Sequence, residues 1–286
     1  NSLKNSTIAD YTQTPPRFVS AGLVQNETMG KLWYFKNSGE NERFNIPDSE
    51  EEVFTPFSAA ISWNNTAYFS GQYGLTFKTY YSSNYSIAQP GNPTWNETMN
   101  SIPIRGISSS RNFATSDFLS AVGSYEFLRT GREDTWVEHP NSGSHDWIDI
   151  SIAAGNNNII YAAATCKAGS ESYLADEDKR DYIYRSLDGG DTWTKCSQFE
   201  RRVWRSVYVN NDGSIVAAAS APDGIDDNGA IYLSKNGAAP IKYKDFISYK
   251  SVQMSDDGLT MVASSYGNYC HKGKFPYSTS DWSDYD

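Results

Sequence analysis

Short runs of alternating apolar and polar residues fill most of this chain, separated by clusters of Gly, Asn, Asp, Ser and Pro. Alternation with period two puts successive side chains on opposite faces of a strand, so the pattern predicts many short β-strands joined by tight turns. Few segments carry the 3.6-residue period of an amphipathic helix. Six of the predicted strands open on an aromatic residue: Phe18-Val19-Ser20-Ala21, Phe57-Ser58-Ala59-Ala60, Phe113-Ala114-Thr115-Ser116, Trp147-Ile148-Asp149-Ile150, Trp204-Arg205-Ser206-Val207 and Tyr249-Lys250-Ser251-Val252. A recurrence at this spacing, with loops absorbing the variation, is what four-stranded propeller blades produce.

The fifth and sixth copies run in parallel over sixteen positions, from Trp204 to Ala219 and from Tyr249 to Ser264. Both place Asp-Gly between two strand patterns, a strong hairpin signal. The small residues Ala217, Ala218, Ala219 and Ala263, Ser264, Ser265 suit a crowded inner strand. After the alternating run Asp181-Tyr182-Ile183-Tyr184-Arg185 comes Ser186-Leu187-Asp188-Gly189-Gly190-Asp191-Thr192-Trp193. In a turn of this composition the Ser and Asp side chains accept bonds from backbone N–H groups, glycine takes a positive φ, and Trp covers the next strand. Partial versions recur: Tyr81-Ser82-Ser83-Asn84 with Thr94-Trp95, Arg129-Thr130 with Asp134-Thr135-Trp136, Ser234-Lys235-Asn236-Gly237, and Ser278-Thr279-Ser280 with Trp282. The first copy, Phe35-Lys36-Asn37-Ser38-Gly39, keeps least.

With Ser186, Asp188, Gly190, Thr192 and Trp193 in this order, the chain resembles the Asp-box, or bacterial neuraminidase repeat, family of β-propellers. The resemblance implies an all-β fold, a six-bladed β-propeller of four-stranded antiparallel blades with Asp-box turns, with seven blades as the alternative count. The expected division is an arm at 1–16 and a single propeller at 17–286, with blades at about 17–53, 54–106, 107–144, 145–200, 201–246 and 247–286. The arm either stands apart or supplies an outermost strand to the last blade, closing the ring.

A length of 286 residues with 14 % aromatic and 20 % charged residues suits one all-β domain. Mean hydropathy is −0.59, as expected of short strands linked by wet turns. No segment reaches the roughly 20 apolar residues of a membrane-spanning helix. The net charge of −10, with 24 scattered basic residues, argues against nucleic acid, which needs concentrated Lys and Arg. Five Asn-x-Ser/Thr sequons, at Asn5, Asn26, Asn64, Asn84 and Asn96, lie in the first hundred residues and point to a secreted or cell-surface glycoprotein. Of three cysteines, Cys166 and Cys196 fall in one blade and are candidates for a disulfide; Cys270 is left over. With histidines only at 139, 145 and 271, no zinc-ligand spacing is present.

In the family, ligands bind on the face formed by the connections between second and third strands and the links between blades. Here those connections are unequal. Lys167 to Asp181 carries Tyr173, Asp176 and Asp178; Ser220 to Gly229 carries Asp223, Asp226 and Asp227; Tyr266 to Gly273 carries Tyr266, Tyr269 and His271. These nine residues are the expected rim, since long loops on a rigid scaffold are where binding sits. A carboxylate pair such as Asp178 and Asp226 would serve glycoside hydrolysis at a separation of roughly 5 to 10 Å. The stretch Asp223–Gly229 offers oxygens to calcium but lacks the EF-hand spacing, so no cofactor or metal is expected, with calcium at this stretch as the alternative. Sialidases of this family carry a Phe/Tyr-Arg-Ile-Pro element, and the nearest sequence, Ile102-Pro103-Ile104-Arg105, has the order reversed, so no catalytic residue is assigned. The blade motif also resembles that of photosystem II assembly factors, which dock a basic face; Arg201, Arg202 and Arg205 are the residues here that would form such a patch. The expected function is a non-catalytic binding or assembly module for protein neighbours or carbohydrate.

Overall fold

The computed structural model describes residues 8–10, 17–23, 30–35, 41–45, 54–61, 66–73, 75–82, 94–99, 101–109, 119–167, 180–222, 229–245, 248–265, 270–274 and 283–285. Among them there is no α-helix, and the strands pair antiparallel wherever their register is defined. The first sheet is β1 (Ile8–Asp10), β2 (Arg17–Leu23), β3 (Gly30–Phe35) and β4 (Asn41–Asn45), in that order. The second is β5 (Phe54–Ile61), β6 (Ala67–Tyr73), β7 (Thr76–Ser82) and β8 (Asn96–Thr98).

An eight-stranded sheet follows: β9 (Ile104–Ser109), β10 (Leu119–Glu126), β11 (Leu128–Arg132), β12 (Thr135–His139), β13 (His145–Ala153), β14 (Asn156–Lys167), β15 (Ile183–Ser186) and β16 (Thr194–Lys195). Its path is β12-β11-β10-β13-β14-β15-β16, with β9 also paired to β10. The last two sheets are β17 (Trp204–Val209), β18 (Ile215–Ser220), β19 (Ala230–Lys235) and β20 (Ile241–Asp245), then β21 (Tyr249–Met254), β22 (Thr260–Ser265), β23 (Cys270–Lys274) and β24 (Ser283–Tyr285).

The chain divides into two compact units, one of 1–121 with 131–137 and the other of 122–130 with 138–286. In the first, Tyr68, Ile104, Ile107, Ala60 and Ala121 form a buried cluster edged by Trp136. In the second, β18 explains how an apolar run folds as a strand. Val216 and Ala218 pack into one core with Trp204 and Tyr232, while Ile215, Ala217 and Ala219 pack into another with Tyr249 and Met261. A strand covered on both faces loses its polar alternation, and alanine lets the flanking sheets approach closely.

Two sequence expectations differ from this arrangement, and a third falls outside the described residues. Ile104-Arg105-Gly106, which the expected bounds of 54–106 put at the end of the second blade, lies with Ile107 on β9 and pairs with β10 instead. The expected third opening, Phe113, lies outside the described residues. The arm does not complete the last sheet, because Ile8–Asp10 pairs with Arg17–Val19 of β2, and Ser283–Tyr285 already fills the fourth position beside β23.

A more precise repeat is visible in the register. Pairing slips by one residue between Pro56 and Ser58, Trp147 and Asp149, Trp204 and Ser206, and Tyr249 and Ser251, so each of β5, β13, β17 and β21 carries a bulge at one place. The residue after the bulge then reaches the next repeat: Ser58 Oγ accepts from Ile107 N at 3.1 Å, Asp149 Oδ2 from Val207 N at 3.1 Å, and Ser206 Oγ from Val252 N at 3.3 Å. Hairpin tips in the second unit are joined as well, Gly155 N donating to Asn211 O at 2.8 Å and Asn211 N to Asp256 O at 3.0 Å.

Candidate functional site

The segment Arg201–Val203, which leads into β17, ties together the roots of two long connections. Asp181 and Arg202 exchange backbone hydrogen bonds, N to O at 3.1 Å and 3.0 Å, and Ala221 N donates to Val203 O at 2.9 Å. Consecutive residues thus hold the end of the 168–180 connection and the start of the 222–229 connection. Arg201 adds its guanidinium, donating through Nη2 to the Arg180 carbonyl at 2.8 Å. Arg202 bonds Glu200 at 2.7 Å and stacks over Tyr232, 4.6 Å from the ring centre.

Asp181 is the centre of this root. It is buried, and a buried carboxylate persists only when its oxygens are satisfied. Oδ1 accepts from Tyr182 N at 2.8 Å and Tyr184 Oη at 3.1 Å, and Oδ2 lies 2.7 Å from His145 Nδ1. The carboxylate therefore selects the tautomer with hydrogen on Nδ1. His145, Trp147 and Tyr184 pack edge-on or tilted against one another with ring centres 4.7 to 5.1 Å apart. Burial, then the neighbouring Asp181 charge, pushes the Tyr184 phenol well above its ordinary value.

A His–carboxylate pair is the orienting half of a general base. The other nitrogen, Nε2, faces the backbone of Gly143, where an added Cβ would stand 2.9 Å away. Among the described residues no hydroxyl or thiol bonds to it. The geometry holds a loop root in place.

The Ser186–Trp193 turn forms as its residue types dictate. Ser186 Oγ accepts from Gly190 N at 2.8 Å and Asp188 N at 3.3 Å, and donates to Asp188 Oδ1 at 2.7 Å. Asp188 Oδ1 also accepts from Thr192 N at 2.9 Å, and Trp193 Nε1 donates to Gly190 O at 2.8 Å. Gly189 and Gly190 have φ of 76° and 107°. Hydrogen bonds from Thr192 and Ser186 hold the Asp188 carboxyl down to about 2. The turn packs on His139, whose Nε2 is 2.6 Å from Thr130 Oγ1 and whose pKa is lowered by burial against the opposing pull of Asp191 and Asp188. The partial turn before Trp136 keeps one element of this geometry, with Trp136 Nε1 donating to Glu133 O at 2.8 Å.

Of the expected rim, Tyr173, Asp176, Asp178, Asp223, Asp226, Asp227, Tyr266 and Tyr269 lie outside the described residues. His271 is on β23, its backbone paired with Ala263 and Asp284. Among the sequons, Asn5, Asn26, Asn64 and Asn84 also lie outside, whereas Asn96 begins β8 and is exposed. Its Thr98 is buried and accepts from Trp136 Nε1 at 3.1 Å. The Cys166–Cys196 disulfide does not form. Cys196 is a free, buried thiol, because β15 lies between β14, which carries Cys166, and the β16 end that carries Cys196. Burial pushes that thiol up to about 11. Arg205 stands exposed on the bulge of β17, and Arg201 is exposed just before it.

Sequence reasoning missed His145, Asp181 and Tyr184. The available signal was the alternation Asp181-Tyr182-Ile183-Tyr184, which puts Asp181 on the same face as buried Ile183. The chain matches no protein-family model and no curated protein.

Proposed function

We propose that this chain is a six-bladed β-propeller of the Asp-box type that acts outside the cell as a non-catalytic binding or assembly module. The eight-stranded sheet reads as two blades, β9–β12 and β13–β16, joined by the short β10–β13 contact at Ser124–Asp146 and Glu126–His145. With the other four sheets this makes six sets of four strands. The recurring bulge and its hydrogen bond to the next repeat support a radial stack of equivalent sheets.

The observation that carries the functional reading is the pinning of two acidic connections to consecutive residues, Arg202 and Val203. In the sequence Tyr173, Asp176 and Asp178 fall in one of these connections, and Asp223, Asp226 and Asp227 in the other. A rim borne on these two connections would suit an extracellular protein neighbour or carbohydrate. Exposure of Asn96 supports the glycoprotein reading.

A glycan array and an extracellular protein panel, probed with the wild type and with a combined Asp176→Asn, Asp178→Asn, Asp226→Asn, Asp227→Asn variant, test this. Binding is expected for the wild type and at least a tenfold loss for the variant at an unchanged melting temperature. Turnover of a fluorogenic sialoside, or wild-type binding that survives in the variant, would contradict it. Loss of mass from native material on glycosidase treatment tests export.

A further inference from the structure

At the seams between successive first strands, the amide of the incoming strand needs an acceptor. Ser58 supplies it to Ile107 and Ser206 supplies it to Val252, in each case through a hydroxyl. Asp149 supplies it to Val207, in the same position after the bulge, through a carboxylate. A hydroxyl suffices for the amide, so the carboxylate brings a property that the other seams lack. It can take up a proton.

Three donors converge on Asp149. Oδ2 receives Ser206 Oγ at 2.7 Å and Val207 N at 3.1 Å, and Oδ1 receives Ile150 N at 2.9 Å. The residue is half-buried, but its carboxyl group is enclosed by protein, and desolvation outweighs the three bonds to raise it to about 6. The strands that pair with or pack on β13 carry Glu126 on β10, Tyr161 on β14, and Arg205 and Tyr208 on β17; Lys250 lies on β21, which packs on β17, and His145 and Asp146 lie on β13 itself. None of these bonds to the carboxyl.

Ser206 has a second acceptor within reach. Its Oγ stands 3.5 Å from Val252 O as well as 3.3 Å from Val252 N. We propose that Asp149, Ser206 and Val252 form a two-state hydrogen-bond relay across β13, β17 and β21, reversed by one proton. With Asp149 ionised, the Ser206 hydroxyl donates to Oδ2. When solvent delivers a proton to Oδ2, that oxygen donates to Ser206 Oγ, and the serine hydrogen turns to the Val252 carbonyl. No bond other than hydrogen bonds is made or broken, and the added proton stays on Asp149. The seam thereby responds to mild acidification at a strand that does not touch the carboxylate.

The test follows the Val207 and Val252 amide resonances in valine-15N-labelled full-length chain across pH 4 to 8. Both are expected to titrate with one midpoint near pH 6. In Asp149→Ser, which reproduces the chemistry of the other seams, neither should move in that range. In Ser206→Ala the Val207 midpoint should rise by about one pH unit, because the ionised carboxylate loses a donor. A Val252 amide that stays still while Val207 titrates, or a Val207 midpoint near pH 4, would overturn the relay; the wild-type measurement decides even if a variant fails to fold.

Discussion

The turn at Ser186–Trp193 and the turn at Ser234–Ala238 join third and fourth strands in neighbouring sheets, and they solve one problem with different chemistry. Each begins on a buried serine and passes through two consecutive positive-φ residues, Gly189 and Gly190 in the first, Asn236 (51°) and Gly237 (72°) in the second. In each, the first of those residues donates its N–H to the hairpin preceding it, Gly189 to Asn158 O at 3.1 Å and Asn236 to Ser214 O at 2.7 Å. The serines differ. Ser186 accepts from the turn, with Asp188 as a second acceptor, whereas Ser234 donates to Ala238 O at 2.6 Å, and no carboxylate takes part in that bond. The path of the turn therefore depends on the serine and the left-handed pair, while the carboxylate and tryptophan lock a path already chosen.

The largest effect is expected at the shared left-handed pair. Gly190→Ala places a Cβ 3.0 Å from Thr130 Cγ2 and 3.1 Å from His139 Nε2, at a φ of 107°. A loss of about 3 kcal/mol is expected in denaturant unfolding, from strain and overpacking together. Ser186→Ala comes next, since it leaves the Gly190 and Asp188 amides without their acceptor, and a loss of about 2 kcal/mol should appear in the same measurement. Gly237→Ala has the left-handed strain but open space, its nearest contact being Arg185 Nη1 at 3.8 Å, so about 1 kcal/mol is expected.

Asp188→Asn gives the smallest effect at neutral pH and the most specific one in acid. The folded turn favours the ionised carboxyl, so its contribution is fully present above the unfolded value of 3.8 and is lost as the pH falls toward about 2. The wild type should lose stability relative to the variant across that window, and parallel melting curves would show that Asp188 locks nothing.

The strand pattern, the Asp-Gly hairpins and the Ser186 turn were legible because each is written in local residue types. Third-sheet entry at Ile104 was not, because Ile104-Arg105-Gly106-Ile107 carries no aromatic, and Gly106 stands where the other copies have Ser or Asp. The pairing of β1 was hidden for a different reason. A three-residue strand has too few positions to show alternation. Of the candidate site, the acidic connections were visible as composition. Their common anchorage was not, since Asp181 meets Arg202, and Ala221 meets Val203, through backbone pairing between residues far apart in sequence.

If six equivalent four-stranded units repeat around one axis, as proposed, a self-rotation search on diffraction data from crystals of the full chain will reveal them. Six units predict non-crystallographic peaks at multiples of about 60° about a single axis. Peaks spaced at about 51°, or none beyond the crystal symmetry, would contradict it.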